Sequence, residues 1–362
     1  MKNNKTIAIF QALLAATLFG ASAPLSKLLV GEVDPVALAS LLYLGSGIGA
    51  LLLMGLQRVK YQGQAPEARL SFQDLPWLLG AVAFGGIIAP IVLLVGLQTT
   101  PASTASLLLN FESVATALIA GLLFREAIGR RISIAILLIT TASIILTWVG
   151  KAWGFSLGAV LILLAGILWG VDNNFTRQIS AKDPLMIILI KGFGAGTFSL
   201  LMAFVLGRSF PSFAAITAGL LIGILSYGLS IQLVILSMRQ LGSARAYALF
   251  AAAPFVGMII SFFLLRENPD LRIWLSLPLL LFGAWLMLSE DHTHLHQHEP
   301  LEHYHKHTHD DDHHQHTNPS FPPLVDGTHA HLHKHQALVH NHPHTPDLHH
   351  RHTHEQNEVS AE

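Results

Sequence analysis

The fold is decided by the stretch LLAATLFG at residues 13–20, because a near copy, LLAGILWG, follows at residues 163–170. Self-similarity at a long fixed spacing indicates that the chain is built from two structural repeats. The further matches, in the same order along both copies, are Asp34-Pro35 with Asp183-Pro184, Gly45-x-Gly47 with Gly194-x-Gly196, and Leu123-Phe124-Arg125-Glu126 with Leu264-Leu265-Arg266-Glu267.

Residues 1–289 consist mostly of apolar stretches of about 20 residues, the length that a helix needs to cross a hydrocarbon layer of roughly 30 Å. The whole chain is 52% hydrophobic and 12% charged, about half the charged share of a soluble domain. Because lipid offers no partners to backbone N–H and C=O groups, we expect an all-α integral membrane protein. The ten predicted spans are 7–30, 35–57, 75–97, 103–124, 131–149, 156–178, 185–206, 214–237, 243–265 and 271–289.

Each repeat, 7–149 and 155–289, holds five predicted spans. Five is odd, so the second repeat enters the membrane inverted, which is the plan of many secondary transporters. With the N-terminus in the cytoplasm, the inner segments collect twelve Lys and Arg and the outer segments five. This bias predicts a multi-pass inner-membrane protein with both termini in the cytoplasm. We expect no cleavage at the signal-like Ala21-Ser22-Ala23, since the first repeat needs this segment as its first helix.

The aromatic-glycine pairs of the opening helices (Phe19-Gly20 and Trp169-Gly170) and the run from Ala105 to Glu112 that leads to Arg125-Glu126 carry a family resemblance. With the echo from Pro254 to Glu267, they resemble the two EamA domains of the drug/metabolite transporter superfamily. The resemblance covers nearly all of residues 7–289 and implies a carrier of a small metabolite or ion. Ser113 stands where this family commonly has proline, whereas its repeat mate Pro254 keeps it, so this departure leaves the proline pivot of the fourth span without its residue.

Four ionisable side chains are candidates for a place at bilayer depth: Glu112, Asp172, Lys27 and Lys191. Such groups are costly at bilayer depth and are functional candidates by default. Desolvation favours the protonated form of a carboxyl group, so Glu112 or Asp172 is a candidate to load and release a coupling proton. The alternative is that both carboxylates form permanent structural ion pairs with Lys191 or Lys27.

Amide side chains accompany the two carboxylates, since Asn110 precedes Glu112, and Asn173 and Asn174 follow Asp172. An amide at bilayer depth needs a polar partner, so these residues are candidates to line the substrate path, with structural hydrogen bonding as the alternative. Helix packing is the simpler role for the glycines of the spans. Packing or substrate stacking remains open for the aromatic residues Trp169, Phe19, Tyr227 and Tyr247.

The tail, residues 290–362, differs in composition from the rest of the chain. It holds all 22 histidines and 12 Asp or Glu against 3 Lys or Arg, and the chain has no cysteine. It lacks the apolar content to fold alone, so we expect it to be disordered. Two modules at an offset of 37 residues are visible in it, because eight histidines and a histidine-free gap superpose.

Neutral imidazole is the ordinary ligand of zinc, nickel and cobalt, so we expect the tail to bind a divalent metal. A pH-responsive polyelectrolyte and a solvated low-complexity tail are the alternatives. The candidate ligands are His292, His294, His296, His298, His303, His305, His307, His329, His331, His333, His335, His340, His342 and His344.

Together these features predict a transporter that works by alternating access, with a cytoplasmic metal-binding tail and a link to divalent metal transport or homeostasis. The alternatives are a metabolite or amino-acid exporter whose tail is only regulatory, and a non-transporting metal sensor. We expect no enzymatic activity, since residues 1–289 lack His and Cys and show no nucleophile with its base. The expected partners are the lipid bilayer, a small-molecule or ion substrate and divalent metal. No required cofactor and no nucleic acid are expected, and homodimer formation is left open.

Overall fold

The computed structural model describes most of the chain outside the tail and four segments within the tail. The described residues are 2–60, 69–124, 129–148, 155–180, 182–241, 246, 249–288, 292–298, 301–307, 329–335 and 338–344.

The first half is a succession of helices whose breaks fall close to the predicted ones, with additional breaks inside three spans. A 3-10 turn, Phe72–Asp74, leads into the third span, and a π-helix, Val82–Ile88, lies within it. The α-helices are α1 (Lys2–Gly20), α2 (Ser22–Leu29), α3 (Pro35–Lys60), α4 (Leu75–Ala81), α5 (Ala89–Thr99), α6 (Ala102–Leu108), α7 (Phe111–Phe124) and α8 (Arg130–Thr147).

The second half has a second π-helix, Gly223–Leu229. It lies 141 residues after the first π-helix, and this spacing equals the later repeat offset of the sequence. The two halves therefore share a helix irregularity as well as sequence motifs. The α-helices of this half are α9 (Leu157–Gln178), α10 (Pro184–Val205), α11 (Phe213–Ile222), α12 (Ser230–Leu241), α13 (Ala253–Leu264) and α14 (Leu271–Leu288).

Eight helical stretches in the described part of the chain are long and apolar enough to cross a membrane. They correspond to the first eight predicted spans. Shorter apolar helices, Ala253–Leu264 and Leu271–Met287, stand at the last two, so the count of ten stays a prediction. Large apolar side chains are exposed on the outside of the bundle, including Phe204 at 80% and Phe213 at 85%, as expected of a protein solvated by lipid.

The repeated Asp-Pro motif begins the second span of each half. Asp34 Oδ1 accepts a hydrogen bond from the Val36 amide at 2.9 Å, and Asp183 Oδ1 accepts one from the Leu185 amide at 2.9 Å. Aspartate satisfies the free amides of a first helical turn, and proline at the first helical position has no amide to satisfy. The motif therefore fixes the start of α3 and of α10.

Helix α3 packs directly against α10 and against the α11 segment of the other half. A Cβ atom added at Gly45 would lie 2.3 Å from the Leu220 carbonyl oxygen, and one added at Gly192 would lie 2.4 Å from the Gly47 amide nitrogen. These backbones touch with no side chain between them, which is the close packing that small residues permit in membrane bundles. The packing role expected for glycines is present at these positions, which we call the glycine seam.

The described parts of the tail form four strands, at segments for which the sequence analysis predicted disorder. Strand β1 (His292–His298) pairs antiparallel with β4 (Leu338–His344), and β2 (Leu301–His307) pairs antiparallel with β3 (His329–His335). The physical reason is that alternating His-x-His has the two-residue period of a strand. The remaining tail residues lie outside the described part of the chain.

Candidate functional site

The fourth span is broken immediately before Glu112. Helix α6 ends at Leu108 and α7 begins at Phe111, and the intervening turn is held by the Asn110 side chain, which donates to the Leu107 carbonyl at 2.9 Å. Glu112 therefore lies in the first turn of α7, where the helix dipole favours a negative charge. Asn110 is buried and shapes this turn, a role closer to structure than to the lining of a path.

The Glu112 carboxylate has a neutral partner on α9. Asn173 Nδ2 donates to Glu112 Oε1 at 2.8 Å and lies 3.2 Å from Thr116 Oγ1. Asn173 is exposed and Glu112 is half-buried. Among the described residues, Glu112 forms no salt bridge.

Asp172, one residue earlier on α9, has a charged partner on α10. Lys191 Nζ lies 2.8 Å from Asp172 Oδ1 and 2.6 Å from Oδ2, and Thr176 Oγ1 donates to Oδ1 at 3.0 Å. The exposed fractions of the side chains are 6% for Asp172 and 18% for Lys191. The structural ion pair that the sequence left open is therefore present at Asp172. Its two charges act electrostatically on Glu112 nearby.

The π-helix of the first half brings its backbone against this ion pair. A Cβ atom added at Gly85 would lie 1.9 Å from Asp172 Oδ2, so only glycine fits there. The Gly85 carbonyl accepts hydrogen bonds from the Tyr43 hydroxyl at 2.5 Å and from Trp169 Nε1 at 3.0 Å. Two aromatic residues from separate helices are thus fixed beside Asp172.

An aromatic row extends from Tyr43 across both halves. The ring centroids are 5.8 Å apart for Tyr43 and Tyr227, 5.9 Å for Tyr227 and Phe19, and 5.4 Å for Phe19 and Phe250. The sequence analysis proposed Phe19, Tyr227 and Trp169 but missed Tyr43 and Phe250. Tyr247, also proposed, lies outside the described residues.

The two remaining candidates of the spans, Asn174 and Lys27, donate hydrogen bonds to backbone carbonyl groups. Asn174 Nδ2 donates to the Thr116 carbonyl at 3.1 Å and to the Gly170 carbonyl at 2.8 Å, which ties α9 to α7. Lys27 donates to the Leu97 carbonyl and, at 3.0 Å, to the Thr100 carbonyl at the end of α5. Neither residue contacts the carboxylates through these bonds, so the structure separates them from the cluster around Glu112.

The connection between α5 and α6 is also held from its other side. Glu267 Oε1 accepts from the Ala102 amide at 2.7 Å, and Oε2 accepts from the Ser103 amide at 2.9 Å and from Ser103 Oγ at 2.6 Å. Lys27 therefore satisfies the carbonyls at the end of one helix, and Glu267 satisfies the amides at the start of the next. We call these two residues the charge clamp; the sequence analysis had noted Glu267 only as part of a repeat.

The search for a metal site covers the part of the chain whose side chains the structure describes. Among the residues whose side chains the structure describes, no group of three or more His, Asp or Glu is placed to hold a metal ion. The side chains of the fourteen candidate histidines lie outside that set, so their role as ligands stays a prediction.

The comparison with protein families decides the identity of the fold. The model of the EamA-like transporter family matches residues 6–148 and 156–289. The chain belongs to the EamA-like transporter family. The EamA-like regions together span almost all of the chain before the tail.

Individual relatives agree with this assignment. An uncharacterized transporter of Methanothermobacter thermautotrophicus is 27% identical over 294 residues, which cover 76% of this chain and 84% of that protein. A crystal structure whose description states no function matches this EamA protein with a TM-score of 0.53 and 17% identity, over 78% of this chain and 95% of the other. At that identity the likeness concerns the fold alone. Family and relative together support a multi-pass membrane transporter.

Proposed function

We propose that this EamA protein is a secondary transporter of a small metabolite or ion, and that Glu112 carries its coupling proton. The family match and the transporter relative support the broader statement that it is a membrane transporter. Alternating access between two inverted five-helix halves is the mechanism that we propose for it. The repeated Asp-Pro caps and the two π-helices at an offset of 141 residues support this symmetry.

The observation that carries the proposal is the difference between the two carboxylates. Asp172 has a lysine at 2.6 Å, so protonating it would leave the Lys191 ammonium without its counter-charge. Glu112 has an amide partner, Asn173, which can hydrogen-bond to either protonation state of the carboxyl group. Glu112 can therefore exchange a proton without breaking a salt bridge among the described residues.

The location of Glu112 supports the same role. It directly follows the break between α6 and α7, and helix breaks within transporter spans commonly lie at the binding site. The Asp172–Lys191 pair and the aromatic row around Tyr43 and Tyr227 lie in the same region. We propose that they form the substrate-facing surface.

Proton flux in proteoliposomes that contain a pH-sensitive dye tests the coupling role. A panel of amino acids, other small metabolites and divalent cations is added outside, and the solute-driven pH change is compared between the wild type and Glu112→Gln. We expect Glu112→Gln to abolish this pH change, whereas Glu32→Gln, at an exposed loop glutamate, leaves it intact. If proton flux is the same in Glu112→Gln and the wild type, Glu112 has no part in coupling.

A second function, divalent metal binding by the tail, is favoured by the strand register. Histidine lies opposite histidine at three positions in each pair of strands, and imidazole suits zinc, nickel and cobalt. We propose that the tail, on the cytoplasmic side of the inner membrane, holds or senses such a metal and links transport to metal homeostasis. No resident cofactor is needed for transport itself.

Metal sensitivity and cellular metal content in a deletion strain test this second function. The strain is complemented with the full-length chain or with residues 1–289. We expect both to restore transport and only the full-length chain to restore the metal response. Equal metal responses would leave a metabolite exporter with an incidental tail, and a metal response that survives Glu112→Gln without any flux would indicate a non-transporting sensor.

A further inference from the structure

The strands of the tail pair across the two sequence modules. β1 and β2 belong to the first module, β3 and β4 belong to the second, and the observed pairs are β1 with β4 and β2 with β3. Each two-stranded ribbon therefore takes one strand from each module. A single module supplies no complete ribbon of this arrangement.

The register places histidines opposite one another in both ribbons. Two histidines of the strands have no histidine opposite them: His298 lies opposite Leu338, and His335 lies opposite Leu301. The opposed pairs are His292 with His344, His294 with His342 and His296 with His340 in the first ribbon, and His303 with His333, His305 with His331 and His307 with His329 in the second.

This register has a consequence for metal coordination. In an antiparallel pair, residues directly opposite have Cβ atoms about 4.5–5.5 Å apart, and alternate residues along a strand share one face. Two successive opposed pairs thus bring four histidine positions to one face. Four ligands is the usual coordination number of zinc in proteins. A single extended strand offers only a row of histidines spaced by about 6.6 Å.

We propose that the tail binds zinc, nickel or cobalt at sites built from opposed histidines of the two modules, with at least one site in each ribbon. The proposal rests on the metal-binding function proposed above and adds its architecture: the modules are two halves of each site and do not bind as separate units. Duplication of the module is then the origin of the site, because one copy lacks the opposing strand.

Two variants with equal numbers of lost histidines test this architecture in the full-length protein. In the first, the three opposed histidines of β1 and the three of β4 are changed to Gln, so that the β1/β4 ribbon loses its histidine pairs and the β2/β3 ribbon keeps them. In the second, those of β1 and β3 are changed, so that no opposed histidine pair remains in either ribbon and His298 and His335 keep leucine as their opposite residue. Both variants remove three histidines from each module. Zinc chloride is titrated calorimetrically into each detergent-solubilised protein.

The two variants give different expected results. We expect the first variant to keep about half of the tight zinc sites with unchanged Kd. In the second variant we expect the tight sites to be lost, with Kd weaker by at least about 100-fold, since even outer partners of metal ligands cost 10–100-fold when removed. Equal zinc binding by the two variants would overturn the cross-module architecture.

The wild-type titration separates this inference from the proposed functions. If the wild-type protein binds no zinc, nickel or cobalt, both the metal-binding tail and its architecture are overturned. The proton-flux measurement on Glu112→Gln does not involve the tail, so transport is judged independently. Tight wild-type binding with equal variants keeps the metal-binding tail and rejects only the paired sites.

Discussion

Replacing Lys191 by methionine should destabilise the protein far more when Asp172 is present than when it is absent. The Lys191 ammonium lies 2.6 Å from the Asp172 carboxylate, and 18% and 6% of the respective side chains are exposed. Removing one partner of such a buried pair costs about 3–5 kcal/mol, because the other charge stays buried and uncompensated. In Lys191→Met, the Thr176 hydroxyl is the one side-chain donor to Asp172 that remains among the hydrogen bonds of the described residues.

The double variant Asp172→Asn/Lys191→Met removes both charges together, so it should cost less than either single variant. The Tm of each variant is measured by thermal unfolding in detergent, monitored by tryptophan fluorescence. At about 2 °C per kcal/mol for a chain of this size, each single variant should lower Tm by roughly 6–10 °C. The double variant should recover most of that loss.

The pair of Arg208 and Asp34, 3.4 Å apart, serves as the control through Arg208→Met, which leaves the Asp34 cap of α3 in place. Nearly half of the Arg208 side chain is exposed, so its removal should cost under about 1 kcal/mol. Additive Tm losses for Asp172→Asn and Lys191→Met would refute the conclusion that these residues form one compensated unit. Asp172 would then be as open to proton exchange as Glu112.

Two further predictions concern Gly85 and the charge clamp. Gly85→Ala should lower stability by about 1–3 kcal/mol, because its Cβ would lie 1.9 Å from Asp172 Oδ2. Gly55→Ala, with open space around it, should be neutral or stabilising in the same assay, and equal behaviour of the two would contradict the close approach. Glu267→Gln should weaken the clamp on the α6 start by about 1 kcal/mol. The chain has no cysteine, so Ala102→Cys provides a single labelling site. It should react faster with an impermeant maleimide in the Glu267→Gln background. Unchanged labelling would show that Glu267 does not restrict access to the start of α6.

The sequence predicts the helical skeleton well, because its signals are local. The apolar runs gave the first eight spans, and the repeated Asp-Pro motif marked where α3 and α10 begin. The break inside the fourth span was missed. Leu108, Leu109 and Asn110 contain no glycine or proline, and the turn depends on hydrogen bonds that an apolar pattern does not reveal.

The candidate site was predicted as a set of residues, while its pairing required the structure. Glu112, Asp172 and Lys191 were all visible as ionisable groups in spans, but composition does not tell which carboxylate the lysine contacts. The π-helix at Gly85 is held by Tyr43 and Trp169 from distant parts of the chain. Such a contact has no local sequence signal.

In the tail, a local sequence pattern was present but was outweighed by composition in the prediction. Its composition indicated disorder because it lacks apolar residues to bury, yet the same His-x-His alternation has the period of a strand. A duplicated module of alternating segments can pair with the other module, and the described strands do so, β1 with β4 and β2 with β3.

The glycine seam determines which parts of the protein can move. Backbones that meet without side chains between them resist sliding, so we expect α3, α10 and the α11 segment to move as one unit that contains helices of both halves, while the other helices of each half rearrange around it. We then expect displacement at the turn around Asn110, where α6 ends and α7 begins. This turn lies next to Glu112, so we expect a change in the charge of Glu112 to alter the angle between α6 and α7.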